Sequence, residues 1–215
     1  HTLSMSAGSE RIRVMTSLGY LDQNGIIKNA NFKRYNLRNN MDIRMNDRLN
    51  FRLDIAATYS RRAANPYQSS VFGFMNSKDP LMLAQWSDGS YAPFTGGTVN
   101  PLPMIEQGVG GNNIRQNGVL KASAALEYKP VQWLTLEVKA APQLTAVKTH
   151  RFVDLVEYHS DPYGTVSKTS NAEYNSLDET VTAAWNGYYH ATAAATRQFG
   201  GHSFKLLVGA SYEEY

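Results

Sequence analysis

Charged side chains fall at a two-residue step along the first quarter of the chain: Arg11 and Arg13, then Arg34, Arg38, Asp42 and Arg44, then Arg52 and Asp54. On extended backbone such a row lies on one side, where guanidinium and carboxylate groups either attract an anionic ligand or pair across strands. A second group sits in the stretch 63–115. There Tyr67, Phe72, Phe74, Trp86, Tyr91 and Phe94 stand among Asn76, Asp79, Gln85, Asp88 and Asn100. Aromatic faces beside amides and carboxylates suit a sugar, a peptide or a docking protein. Packing of the stretch against itself is the commoner fate of any one of them. Catalytic signals are poor, and no enzyme chemistry and no cofactor is expected. No Gly-x-Ser-x-Gly elbow or His-Glu-x-x-His pair occurs. Gly108-Val109-Gly110-Gly111 lacks the Lys-Ser/Thr of a phosphate loop and reads as flexible backbone. His150 and His159 flank Asp154 and Glu157, but with no fourth ligand at defined spacing these read as surface positions rather than a metal site.

The elements that must carry these residues show a period of two. Ile12, Val14, Thr16, Leu18 and Tyr20 alternate with Arg11, Arg13, Met15, Ser17 and Gly19. Tyr35, Leu37, Met41, Ile43 and Met45 oppose Arg34, Asn36, Arg38, Asn40, Asp42 and Arg44; Leu49, Phe51, Leu53, Ile55, Ala57 and Tyr59 oppose Asn50, Arg52, Asp54, Thr58 and Ser60. The pattern returns over 120–129, 134–140, 181–199 and 203–212. Each stretch predicts a ribbon with one apolar and one polar side. Several run past ten residues, beyond the strands of a soluble sandwich and long enough to cross a bilayer at a tilt. Tyr20, Tyr35, Tyr59, Tyr128, Trp133, Trp185, Tyr188, Tyr189 and Tyr212 lie near strand ends or on the apolar side, as interfacial girdles would.

Composition agrees. Only 18% of the 215 residues are charged while 13 are Tyr, an unusual balance for a soluble enzyme and a natural one for a wall between lipid and water. A formal charge of +3 gives no case for nucleic acid, and the absence of cysteine excludes disulfides and thiolate metal sites. No apolar run is long enough for a transmembrane helix. His1-Thr2-Leu3-Ser4 does not open a signal peptide, and the chain reads as a piece of a longer one.

Short and long connections alternate strictly. Ala7-Gly8-Ser9-Glu10, Asn46-Asp47-Arg48, Lys129-Pro130-Val131-Gln132 and Gly200-Gly201-His202 are tight turns. Between them come a link of roughly ten residues around Asn24-Gly25, where a positive φ is expected, and the long links 63–115 and 150–180. Outer-membrane barrels have short periplasmic turns and long extracellular loops. Eight strands could close a small autonomous barrel acting as an adhesin, structural protein or surface enzyme, with strand 203–215 pairing with strand 1–6. Both ends would then lie at the outer rim, which favours a larger parent barrel. A soluble β-rich binding module is the third alternative.

Particular residues then become recognisable. His1-Thr2-Leu3-Ser4-Met5-Ser6-Ala7-Gly8-Ser9-Glu10 resembles the segment that opens the barrel in SusC/RagA-type TonB-dependent transporters, with Ala7 in place of a usual glycine. The block Leu18-Gly19-Tyr20-Leu21-Asp22-Gln23-Asn24-Gly25-Ile26-Ile27-Lys28-Asn29, continued by Phe32-Lys33-Arg34-Tyr35-Asn36-Leu37-Arg38, is similar to that family's most distinctive hairpin. Arg197-Gln198-Phe199-Gly200-Gly201-His202-Ser203 and Gly209-Ala210-Ser211-Tyr212 resemble a later turn and strand. The resemblance implies an all-β fold: about eight strands of a larger antiparallel, 22-stranded transmembrane barrel closed by a plug. It also implies an outer-membrane importer of oligosaccharides or peptides, energised through TonB and lidded by a SusD-like lipoprotein. In a plugged barrel the arginine row reads first as pairing across strands and with the plug.

Overall fold

The computed structural model describes residues 1–77, 81–93, 99–106, 108–164, 166–169 and 174–215, with backbone alone for 167–169. Eight long strands form one antiparallel sheet: β1 (Thr2–Gly8), β2 (Ile12–Asn24), β3 (Asn31–Asn46), β4 (Leu49–Ala64), β5 (Gly111–Val131), β6 (Leu134–Val153), β9 (Ser176–Phe199) and β10 (His202–Glu214). They lie in chain order, each paired with its sequence neighbour, and a small hairpin of β7 (Glu157–His159) and β8 (Val166–Thr169) sits apart in the last long link. Helices α1 (Gln68–Asn76) and α2 (Leu102–Ile105) occupy the link after β4. β1 pairs only with β2 and β10 only with β9, so the sheet is open at both edges and the autonomous eight-stranded closure is not formed.

Register shows why these residues make this sheet. Leu18 pairs with Leu37, Leu37 with Ala57, Ala57 with Leu120, Leu120 with Leu144 and Leu144 with Trp185. One step along the strand, Ser17, Arg38, Ala56, Lys121, Gln143 and Asn186 form the neighbouring row. Opposed residues share a face, so period two in each strand becomes one apolar and one polar face across all eight. A one-residue slip anywhere would mix the two, which fixes the register. Thr16 and Asn39 are polar intruders on the apolar face, and they satisfy each other: Asn39 Nδ2 donates to Thr16 Oγ1 at 2.7 Å. Tyr188, grouped above with the girdle aromatics, lies instead on the polar face, tilted against His190 with ring centroids 5.6 Å apart.

Aromatics bracket the apolar face. Tyr20, Tyr35 and Tyr59 stand side by side in one row, centroids 5.0 and 6.3 Å apart, with Tyr189 stacked on Tyr212 further round. Phe199 and Phe204 meet edge to face at the opposite end, and Arg197 lies over Trp133. Leu49 to Tyr59 covers about 33 Å of strand at about 3.3 Å per residue, or about 25 Å of height at a tilt near 40°. That is the height of a barrel's hydrocarbon belt. The sheet is also sheared, as a barrel requires. The row of Arg13, Asp42, Arg52, Ala125, Lys139 and His190 meets a short turn at β1–β2, yet the β9–β10 turn comes only at Phe199.

Links differ in detail from the sequence reading. In the link after β2 the positive φ belongs to Asn29, at 65°, rather than to Gly25. Gly25 is needed for closeness: a Cβ there would sit 2.8 Å from that of Ala30. The strand continues through Lys129 and Pro130, where the β5–β6 register shifts between Tyr128 and Val131, so the turn falls at Gln132–Trp133. The glycines read as slack backbone have a defined task, with φ of 79°, 73° and 93° at Gly108, Gly110 and Gly111. A Cβ on Gly111 would lie 2.1 Å from the Phe152 carbonyl oxygen, so only glycine lets β5 start beside the end of β6.

Candidate functional site

At the end of the sheet carrying the long links, those links fold onto one another. Val71 of α1, Val99, Met104 of α2, Val156 and Tyr158 form a buried cluster, with Ile27, Tyr67, Phe74, Tyr91, Ile105 and Val109 packed around it. Three links thus share one small core. Asn100, 1% exposed, organises its polar part. Its Nδ2 donates to the Ala84 and Ala92 carbonyls at 2.6 and 3.0 Å, and its Oδ1 accepts from the Leu102 amide at 3.0 Å. The Tyr158 hydroxyl donates to the Asn100 carbonyl at 3.0 Å. Each such bond is worth about 1 kcal/mol net, and leaving any of these groups buried and unpaired would cost more. Burial pushes the Tyr158 phenol well above its usual range, and burial with Glu106 nearby raises Tyr91.

Most aromatics singled out in 63–115 make contacts of this kind. Tyr67 donates to the Asp154 carbonyl at 3.1 Å, and Trp86 Nε1 to the His159 carbonyl at 2.7 Å. Phe74 and Tyr91 pack on the core. Asp88 accepts from the Ser90 hydroxyl and amide at 2.7 and 3.0 Å and from the Tyr163 amide at 2.8 Å, which ties the two long links together. Those hydrogen bonds, the Ser90 hydroxyl foremost, lower its carboxyl pKa to about 2. Phe72 differs: it stays 51% exposed on α1. Phe94 and Asp79 lie outside the described residues.

Of the suggested metal ligands, His150 Nδ1 meets Glu179 at 2.7 Å while His159 Nδ1 faces the Gly164 carbonyl at 3.0 Å. Among the described residues no three His, Cys, Asp or Glu side chains gather as a metal site would require.

The charged row occupies the polar face. Arg34 registers with Ser60, Arg38 with Ala56, and Asp42 between Arg13 and Arg52. Asp54 accepts from Asn40 Nδ2 at 2.6 Å, and Arg44 pairs with Asp47 at 3.0 Å. Arg52 serves a denser cluster that the row alone did not suggest. Glu127 and Glu137 stand directly opposite each other, an arrangement that repels. Arg52 lies 3.8 Å from the first and 3.3 Å from the second, Lys129 is 3.0 Å from Glu127, and His190 Nε2 is 3.2 Å from Glu137. Only the strand register, which puts β4, β5, β6 and β9 side by side, brings these three basic groups to the two acids.

A second basic group stands at the long-link end of the same face. Arg62 and Arg115 register directly with each other, with Thr149 next across the sheet. They line a cavity of about 560 Å³ together with Asn65, Gln68, Ser69, Phe72 and Asn113.

A sheet with one continuous apolar face, a tyrosine border, long strands and open edges is a section of transmembrane β-barrel wall. Comparison with known proteins gives the particular kind. The chain is 26% identical over 223 residues to the TonB-dependent receptor P26 of Formosa agariphila, an alignment taking in 99% of the chain. It is 30% identical over 157 residues, 70% of the chain, to the TonB-dependent receptor P39 of the same organism. The chain spans 20% and 13% of the lengths of these relatives. In fold it is similar to the structure of the RagAB peptide transporter, with a TM-score of 0.73, 20% identity and 99% of the chain covered against 24% of that chain. It is similar also to the closed-closed state of the RagAB peptide importer, with a TM-score of 0.66, 17% identity and full coverage of the chain against 25% of that chain. No family model matches. By sequence kinship the chain belongs to the TonB-dependent receptors, as a stretch of barrel wall whose fold is shared with RagAB. The relatives are receptors and transporters, in keeping with the non-enzymatic reading.

Proposed function

We propose that this chain forms part of the wall of an outer-membrane importer, which takes up nutrient oligomers (oligosaccharides or peptides) with energy relayed through TonB and a SusD-like lipoprotein over its mouth. In this reading the apolar face meets lipid, the polar face lines the lumen, and the links 65–110 and 154–175 are extracellular. The observation that carries it is the division of eight strands into an apolar and a polar face, bracketed by aromatic side chains at the height of a hydrocarbon belt. Kinship with TonB-dependent receptors supports the energy source, and the RagAB likeness supports a lipoprotein partner. The test is deletion of the gene encoding the full-length protein, followed by uptake of fluorescent oligosaccharides and peptides in cells with and without TonB. The reading expects uptake of one cargo class to vanish on deletion and equally on loss of TonB. Unchanged uptake of every cargo, or uptake indifferent to TonB, rejects it.

A further inference from the structure

Around the cavity of Arg62 and Arg115 the wall itself leaves a part of the polar face unfinished. Two like charges directly opposite on neighbouring strands repel, and elsewhere on this face the sheet supplies the remedy: Glu127 and Glu137 are bridged by Arg52. Arg62 and Arg115 have no such relief. Among the described residues neither makes an ion pair or a side-chain hydrogen bond, and both are exposed. Strand parity puts Arg62, Ala64, Asn113, Arg115 and Thr149 on the polar face, and the first turn of α1 supplies Gln68 and Ser69 to the same hollow.

The geometry points to a binding site for an acidic oligosaccharide, one carrying carboxylate or sulfate groups, between the Arg62–Arg115 pair and α1. This deepens the importer reading and rests on it, since it takes the polar face as the lumen. Guanidinium forks match planar or tetrahedral oxyanions in bidentate fashion, and an anion between the two arginines would turn repulsion into attraction. The remaining lining selects the carrier of that anion. Amides of Asn65, Gln68 and Asn113 and hydroxyls of Ser69 and Thr149 offer partners for sugar hydroxyls, and the exposed Phe72 ring offers a face for the C–H side of a sugar. A peptide would seek apolar pockets for its side chains, and apart from Phe72 the lining offers only Ala64 and Pro66.

The test uses the full-length protein purified from outer membranes in detergent, with calorimetric titration of hexagalacturonate, uncharged maltohexaose and hexaglutamate. Wild type should bind hexagalacturonate more tightly than the other two, with affinity falling as ionic strength rises. Arg62→Gln combined with Arg115→Gln should weaken that binding about tenfold or more, the loss of two charge-assisted contacts. Lys205→Gln, a charge change far off on β10, should leave it unaltered. Heat-modifiable electrophoretic mobility shows that each variant is folded. Wild-type affinity in the folded double variant, or no binding of hexagalacturonate by wild type, overturns the site. Tighter binding of hexaglutamate or maltohexaose overturns the acidic-sugar assignment. Uptake lost on gene deletion but insensitive to the arginine changes sinks this inference alone and leaves the importer reading standing.

Discussion

Asp88 is a single carboxylate on which two links depend. Hydrogen bonds from the Ser90 hydroxyl, the Tyr163 amide and the Ser90 amide stabilise its charged form and hold its pKa down to about 2. A depressed folded-state pKa means that the contribution is complete above the ordinary carboxylate value of about 4 and is lost as pH falls through the folded value. Hydrogen exchange by mass spectrometry should therefore show a constant protection factor for the segment around Tyr163 from neutral pH to about 4, and a decline between about 4 and 2. Asp88→Asn should abolish that acid-dependent step. A decline already complete at pH 5, or an unaltered profile in the variant, would refute the assignment. Sequence had marked Asp88 and its aromatic neighbours by type alone. What each touches was not legible there, because Trp86 reaches His159 and Tyr67 reaches Asp154 across more than seventy residues of chain. Arg62 and Arg115 were overlooked for a related reason: they lie where the apolar alternation fades, although the same parity that marked Arg34 and Arg52 extends to them.

Strands were the most readable elements, since a period of two needs no knowledge of partners. Their ends were less so. β4 continues to Ala64, β5 begins at Gly111, β6 continues to Val153 and β9 begins at Ser176, each running into stretches where apolar residues no longer alternate. Backbone pairing there continues above the belt, and polar side chains appear on the apolar face: Asp22 pairs with Lys33 at 3.3 Å and His150 with Glu179 at 2.7 Å. Neighbouring positions on one strand should respond oppositely to a charge. Leu53→Arg, in the middle of the apolar face, should cost about 2–4 kcal/mol and lower the yield of assembled full-length barrel. Asp54→Arg, one residue on and facing the other way, should be tolerated far better. Heat-modifiable mobility in outer-membrane fractions measures both, and equal losses would mean that the two faces have been assigned wrongly.

For the molecule as a whole, the sheet has a row of unpaired amides and carbonyls along β1 and another along β10. Expressed alone, the 215-residue chain should therefore form high-molecular-weight aggregates, as exposed strand edges do. Size-exclusion chromatography with light scattering checks this. A monodisperse, cooperatively unfolding monomer in buffer would show that the large apolar face is covered in some other way. Family resemblance gave the sequence reading its scale, because no pattern within these strands states how many others complete the ring. The open edges agree with a larger circle.

Those edges also bear on how such a wall is made. Hydrocarbon offers nothing to an idle peptide group, and each one stranded there costs several kcal/mol. Strands cannot then enter the bilayer one after another and wait for company. Each rim must be guarded during biogenesis, by water, by a catalyst or by the next strand zipping on, until the ring is complete. Assembly of such a wall is thus expected to proceed by concerted pairing and closure of strands, never by strands left to stand singly in the bilayer.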